Sequence, residues 1–93
     1  MSEALRHPLP SRLLPQDAAA LQASLLGLRG RPVELDASGV VQIATPCVQV
    51  LLSAARSWRE DGVRLGLAAP SAEMLAVLAH LAVDPAALQS PEA

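Results

Sequence analysis

Aromatic residues are almost missing from this chain. Trp58 is its only aromatic residue, and Phe and Tyr are absent, although 52% of the 93 residues are hydrophobic. A core must therefore be built from Leu, Val and Ala, and Trp58 is expected to anchor that core or its edge because it is the bulkiest group available. The lack of aromatic residues also removes the stacking platform that single-stranded nucleic acids use.

Lysine is absent as well, and positive charge is scarce. The seven arginines are scattered along the chain and the formal net charge is −2, so no nucleic-acid partner is expected. The single cysteine, Cys47, excludes an internal disulfide and fits the reducing cytoplasm. No apolar run reaches the roughly 18–20 residues of a membrane span, and the first residues lack a signal-peptide pattern. We therefore expect a cytoplasmic protein without direct membrane insertion.

Residues that carry reaction chemistry are also few. Neither His7 nor His80 has another His or a Cys at metal-ligand spacing, so no metal site is expected. The sequence contains no glycine-rich phosphate loop, no nucleophile elbow and no acid paired with a base. Cys47 could act as a nucleophile, because a nearby helix N-terminus lowers the pKa of a thiol. No histidine lies close to it in sequence, however, so we favour the interpretation of Cys47 as a small packed residue. We predict a chain that is not an enzyme and needs no cofactor.

Hydrophobic periodicity predicts alternating strands and helices. Residues 5–14 are apolar but are interrupted by Pro8 and Pro10, which restricts them to an edge or irregular strand. Gly30 and Gly62 are expected to end the first two helices, and Ser71 to cap the third. The predicted elements are strands over 33–35 and 63–67, a short apolar patch over 40–43, helices over 16–28, over 46–61 and after Ser71, and a last helical turn over 84–88.

Strands separated by helices of this length require crossover connections, which favour parallel pairing. The predicted fold class is α/β, with a small mixed, mostly parallel sheet of about four strands and three to four helices packed on it. The whole chain, residues 1–93, is expected to form one domain. Its core should span about 9–88, and residues 1–4 and 89–93 should be flexible.

The segment from Val33 to Trp58 is the most informative part of the chain. A short strand ends at Asp36, a turn of small residues follows, and Thr45-Pro46 opens a long helical pattern. Thr is a good N-cap and Pro suits the first helical position, so Thr45 is predicted to cap this helix. A hydroxyl at a helix N-terminus can also hold or acquire an anion.

The order of these features resembles the STAS domain family. The resemblance rests on a strand ending in Leu-Asp, a small-residue turn, an apolar patch, a hydroxyl residue opening a helix and a V-x-V-L-L run, with Ala69-Pro70-Ser71 before the last long helix. It covers about residues 9–88. It implies a small sheet with helices, no catalysis, and action through protein partners.

In the anti-sigma factor antagonists of this family, the resemblance implies a D-S-S-G-L type segment whose second Ser is phosphorylated by a partner kinase. Here Thr45 matches the first hydroxyl of that segment, whereas the phosphoacceptor position falls on Pro46, the preceding Asp on Ala44 and the following Gly on Cys47. Proline cannot accept a phosphoryl group. Thr45 remains as a displaced acceptor, beside its predicted role as a cap.

The chain also resembles two other branches of the family. One is the STAS subunit that supports the ATPase of bacterial lipid-transport ABC systems, which has a Thr at this helix start, as Thr45 is here. The other is a group of STAS proteins found with chemotaxis genes, which carry a segment similar to residues 45–58. A third hypothesis is a nucleotide or small-molecule binder that uses the helix start at Thr45.

The shared prediction is a regulator that binds an anti-sigma kinase or another ATPase-bearing protein. Its long second helix carries two apolar stripes, and one of them either meets the partner or packs inside the domain. The predicted partner surface consists of Ser38, Gly39, Thr45, Pro46, Cys47, Gln49 and Val50.

Overall fold

Three parallel strands form the main sheet. The computed structural model describes residues 4–91, and the strands are β1 (Leu5–Pro8), β3 (Val33–Asp36) and β5 (Leu65–Ala68), in the order β1-β3-β5. Leu5 pairs with Val33 and Val33 with Leu65. The alternation of buried and half-buried residues along β3 turns Val33 and Leu35 into the core. This confirms the predicted α/β fold with a mostly parallel sheet.

A second, very short ladder lies beside the first. β2 (Arg12–Leu13) pairs in parallel with β4 (Gln42–Ile43), so the apolar patch predicted over 40–43 supplies a strand of its own. The described residues therefore form five short strands in two sheets, where one sheet of about four strands was predicted. The amides of Leu5 and Leu9 donate to the carbonyls of Pro32 and Asp36, at the two ends of β3. Pro8 lies between these two donors, has no amide hydrogen and lies on the outer edge of β1. A proline there blunts pairing with another chain.

Three α-helices connect and cover the strands. They are α1 (Ala18–Leu26), α2 (Thr45–Asp61) and α3 (Ala72–His80), and two 3-10 turns occupy Pro15–Asp17 and Pro85–Leu88. Gly62 ends α2 at a φ of 67°, a left-handed conformation that glycine adopts without strain. Ser71 caps α3 because its Oγ accepts the amide of Met74 at 3.1 Å. Both of these predictions are confirmed. The predicted end of the first helix is wrong, because α1 ends at Leu26 with Gly27 as its C-cap, before the predicted Leu28 and Gly30.

The core is aliphatic except for one indole. Trp58 on α2 is 2% exposed and donates its Nε1–H to the carbonyl of Arg31 at 2.7 Å, so it satisfies its polar atom while filling the largest volume. The other large, fully buried side chains of the core include Leu13, Val33, Leu35, Leu51, Leu65, Met74, Leu78 and Leu88.

Among the described residues, no helix is long and apolar enough to cross a membrane.

The C-terminal segment is attached to the sheet farther along than the sequence predicts. Leu88 is fully buried, and Ser90 forms an antiparallel bridge to Leu65 through two backbone hydrogen bonds of 2.8 and 2.9 Å. Arg59 on α2 donates to the carbonyls of Ala87 and Gln89. Residues 89 and 90, expected to be flexible, are thus tied to β5; of the other predicted flexible ends, residues 1–3 and 92–93 lie outside the described residues.

Candidate functional site

The predicted site residues follow the carboxyl ends of two strands, where parallel sheets commonly form binding sites: Ser38 and Gly39 come after β3, and Thr45 comes after β4. The turn after β3 begins at Ala37, whose amide donates to the carbonyl of Ala68 at the end of β5. The Ala37 carbonyl in turn accepts the amide of Ser71, and the Ser71 hydroxyl donates to the carbonyl of Val40. The start of α3 therefore holds the turn over 37–40 in place.

Asp36, the last residue of β3, accepts hydrogen bonds that order this turn. Its carboxylate accepts the hydroxyl of Ser38 at 2.7 Å, the amide of Ser38 at 3.0 Å and the guanidinium of Arg6 at 2.8 Å. The Ser38 bonds first, and then Arg6, lower the pKa of Asp36 from 3.8 to about 2. The turn is thus ordered around an ionised carboxylate at the surface, and Ser38 and Gly39 at its tip are exposed.

Acid should weaken this arrangement. A carboxyl whose pKa is lower in the folded chain stabilises the fold above its unfolded pKa, here 3.8, and this contribution is lost as the pH falls through the folded value of about 2. We expect the Tm of the wild type to fall between about pH 4 and pH 2, and Asp36→Asn to start lower at neutral pH and fall less over that interval. Thermal unfolding followed by circular dichroism at stepped pH measures the Tm of the wild type and of Asp36→Asn, with Glu34→Gln as the control. An equally steep fall of the Tm in Asp36→Asn and in the wild type would contradict the role of the Asp36 carboxylate.

The start of α2 differs from the prediction by one residue. Ala44, in an extended conformation with φ −85° and ψ 153°, is the N-cap, and no side chain caps this helix. The position is fixed from outside the helix because the Ala44 amide donates to the carbonyl of Leu13 at 2.7 Å, continuing the β2–β4 ladder. Thr45 is the first helical residue and is exposed. The predicted Thr45 cap is therefore wrong, and Pro46 occupies the second helical position.

A pair of substitutions measures this difference. Ser71→Ala should lower the free energy of unfolding by about 1 kcal/mol, because the amide of Met74 loses its acceptor. Thr45→Ala should change it by less than about 0.5 kcal/mol, since no capping bond is removed. Urea denaturation of the two variants beside the wild type gives both values. A loss for Thr45→Ala as large as that for Ser71→Ala would place the cap at Thr45.

Cys47 does not lie on the surface. It is fully buried, and its Sγ donates to the carbonyl of Leu14 at 3.3 Å. Burial, and secondarily the nearby Asp17, raise the pKa of its thiol, which opposes the thiolate that a nucleophile requires. The packed interpretation of Cys47 is therefore the one that the structure supports, and this residue cannot touch a partner in this conformation.

The remaining predicted surface residues are accessible. Thr45, Pro46 and Gln49 are exposed along the first turns of α2, and Val50 is half-buried. Ala54, on the same stripe, is buried at 8% exposure. The second apolar stripe of α2, which consists of Cys47, Val50, Ala54 and Trp58, is therefore mostly packed inside the domain, and only Val50 is partly open.

A groove between α1 and α2 extends this surface and was not predicted. The groove, called the α1–α2 groove below, has a volume of about 220 Å³, and Pro46, Gln49 and Val50 line one end of it. Leu26 on its α1 wall is 59% exposed, whereas Trp58, which also borders the groove, is only 2% exposed. The one signal in the sequence was Leu26 beside Leu25 in α1, an extra apolar residue outside the buried Leu21–Leu25 face. The side chains that line the α1–α2 groove include Leu25, Leu26, Val50, Ser53, Ala54 and Trp58.

The described residues contain no group of three or more His, Cys, Asp or Glu that could hold a metal ion. His7 is half-buried in β1, and His80 is exposed as the last residue of α3. The arrangement at the start of α2 offers an exposed hydroxyl, exposed apolar groups and an ordered turn. Such a surface is suited to binding.

Comparison with known protein families gives a match over almost the whole chain. A family model described as "Mlab, STAS domain" matches residues 4–89, which is nearly the whole chain. Comparisons with curated proteins and with solved structures gave no match. The order of strands and helices in the matched region is the one described above, with the ordered turn and the start of α2 near its middle.

Proposed function

Because this chain belongs to the STAS domain family, whose members serve as regulators and interaction modules, we propose that it acts in the cytoplasm by binding an ATPase or kinase. The contact surface in this proposal is the start of α2 with the turn beside it. No reaction is assigned to the chain itself. The observation that carries the proposal is the exposure of Thr45, Pro46 and Gln49 at the start of α2, together with the exposure of Ser38 and Gly39 at the tip of the ordered turn.

The chemistry of that surface suits a protein rather than a small anion. Pro46 supplies no amide hydrogen at the second helical position, so one of the free donors that would bind a phosphate at a helix start is missing. This missing donor disfavours a nucleotide phosphate at the start of α2.

Three branches of the family stay as alternatives, and the chemotaxis-associated branch offers no stated partner; the start of α2 separates the other two. In an anti-sigma factor antagonist the partner is a kinase that phosphorylates the start of α2, and here Thr45 is the hydroxyl left to accept a phosphoryl group. In a subunit that supports the ATPase of a lipid-transport ABC system, docking is constitutive and needs no acceptor. Pro46 at the usual acceptor position favours constitutive docking, while the exposed Thr45 keeps the first class open to test.

Binding to purified candidates tests the proposal. The full chain is mixed with an anti-sigma kinase and with a transporter ATPase encoded near its gene, and complexes are measured by calorimetry. Thr45→Arg should abolish the complex because it sets a charge in the middle of the surface. Ala79→Arg, an equal change on the exposed side of α3, should leave it intact.

The outcomes separate the classes. A complex that survives Mg-ATP without any mass increase of this chain supports the transporter role. Phosphorylation of Thr45 seen by intact mass, with release of the kinase, supports the antagonist role. Absence of binding to either protein, or binding that Thr45→Arg leaves unchanged, would overturn the proposed surface.

A further inference from the structure

A cavity of about 280 Å³ lies beside the C-terminal half of α2 and is lined by two guanidinium groups. They belong to Arg56 and Arg59, and residues three positions apart lie on the same face of a helix. Both side chains can therefore reach one ligand. The cavity, called the α2 arginine cavity below, is completed by Leu52, Ser53 and Ala87.

The polar side chains that line the α2 arginine cavity all donate hydrogen bonds. A guanidinium has five N–H donors and no acceptor, and a serine hydroxyl can donate as well. The Nη2 of Arg59 uses part of its capacity on the carbonyls of Ala87 and Gln89, at 2.9 and 3.2 Å. These two bonds hold that guanidinium in place, and its other donors stay available to a ligand. Arg56 and Ser53 are exposed beside it.

The positive charge of this cavity has no carboxylate beside it, because none of the residues that line the cavity is acidic. Other arginines of the chain have such a partner. Arg6 and Arg29 form ion pairs with carboxylates at 2.8 and 2.9 Å, and Arg12 shares its cavity with Asp17. Among the described residues, the α2 arginine cavity is therefore a place where two positive charges converge without an acid to balance them.

Charge and donor number together determine the class of ligand. A phosphate monoester carries about −1.5 to −2 charges at neutral pH and three strong acceptor oxygens, whereas a carboxylate or a phosphate diester carries a single charge. Guanidinium groups also match the oxygens of a phosphate through paired hydrogen bonds. The volume of about 280 Å³ lies just below that of pockets for drug-sized ligands, roughly 300–1,000 Å³. A phosphate with a small substituent therefore fits.

We propose that the α2 arginine cavity binds a phosphate monoester group, with Arg56 and Arg59 holding its oxygens and Ser53 donating a further hydrogen bond. The group belongs to a small soluble molecule or to the headgroup of a phospholipid, and the monoester is the chemistry that the two share. This site does not rest on the proposed function, because none of its residues belongs to the proposed partner surface at the start of α2.

Methyl phosphate, a minimal monoester, tests the cavity directly. It is titrated into the ¹⁵N-labelled full chain at constant ionic strength, because salt screens exposed charges. Saturable shifts of the Nε–H signals of Arg56 and Arg59 and of the Ser53 amide are expected. Dimethyl phosphate and acetate, which carry one charge, should bind at least about threefold more weakly. Equal affinities for the three anions, or equal shifts of the Arg12 signal, would overturn the proposal.

Arg56→Gln removes one guanidinium and leaves the bonds between Arg59 and the C-terminal segment in place. It should weaken the binding of methyl phosphate at least about fivefold. Arg12→Gln is the matched control, since it makes the same change of charge at an exposed residue of another cavity, and it should weaken binding less than about twofold. Retained Tm values establish that both variants fold. Unchanged binding in Arg56→Gln, or an equal loss in Arg12→Gln, would overturn the site.

Vesicles distinguish the two sources of the phosphate. Flotation is measured with phosphatidylcholine vesicles that contain phosphatidate, whose headgroup is a monoester, or phosphatidylglycerol, whose headgroup is a diester. Flotation with phosphatidate alone, lost in Arg56→Gln, supports the site and assigns it to a lipid. Binding of methyl phosphate without flotation supports the site and assigns it to a small soluble molecule. Equal flotation with both kinds of vesicle would show general attraction to negative surfaces and overturn the selectivity for a monoester.

Discussion

Replacing Trp58 with alanine should remove about 3–5 kcal/mol from the free energy of unfolding. Trp58 is 2% exposed and its Nε1–H donates to the Arg31 carbonyl at 2.7 Å. Around it the core contains only aliphatic side chains, Cys47 and Met74, so no second aromatic residue can move into the vacated volume. Because small domains have about 5–15 kcal/mol in total, this one substitution should leave a marginal fold.

Urea denaturation followed by far-ultraviolet circular dichroism measures this loss, since the variant has no intrinsic tryptophan signal. Trp58→Phe is the matched control, because it keeps a large apolar ring and removes mainly the hydrogen bond to Arg31. We expect Trp58→Phe to lose clearly less than Trp58→Ala. A loss below about 2 kcal/mol for Trp58→Ala would mean that the indole is not the anchor of the core.

Leu88→Ala should cost about 2–5 kcal/mol, an unusual penalty for a residue so near the end of a chain. Leu88 is fully buried in the last 3-10 turn, which Arg59 and the bridge between Ser90 and Leu65 hold against α2 and β5. Removing its side chain leaves a cavity under β5 and loosens the segment that covers the edge of that strand.

The matched control for Leu88→Ala is Leu26→Ala, because Leu26 is the same residue type at 59% exposure. We expect Leu26→Ala to change the free energy of unfolding by less than about 0.5 kcal/mol. Equal losses in the two variants, measured by urea denaturation, would show that the C-terminal segment does not belong to the core.

Local patterns were sufficient to predict most of the elements. The apolar spacing in α2, the glycine at its end and the Ser71 cap each act within a few residues, so the sequence determines them directly. The start of α2 was misplaced because Ala44 is set by a backbone bond to Leu13, thirty-one positions earlier in the chain. A good capping residue at Thr45 could not override that distant constraint.

The candidate site was less predictable than the fold. Whether Cys47 was packed or exposed depended on the carbonyl of Leu14, which reaches it only in the folded chain. The α1–α2 groove likewise depends on how two helices lie together, and Leu26 gave only a weak signal in the sequence. The partner surface stays a prediction. Cys47 no longer belongs to it because this residue is buried, and the adjoining α1–α2 groove extends it.

The parallel pairing of β1, β3 and β5 has a consequence for how quickly the chain folds. Leu5 pairs with Val33, and Val33 pairs with Leu65. Each pairing therefore closes a loop of about thirty residues, and the entropy cost of that closure precedes the stabilising contacts between the strands. We expect refolding on the millisecond scale or slower, rather than the microseconds of a helical bundle. Stopped-flow dilution from urea, monitored by Trp58 fluorescence, measures the rate, and refolding within the mixing time would contradict it. The nascent chain would then expose its aliphatic strands until β5 docks, and the proline on the edge of β1 would guard the sheet during that interval.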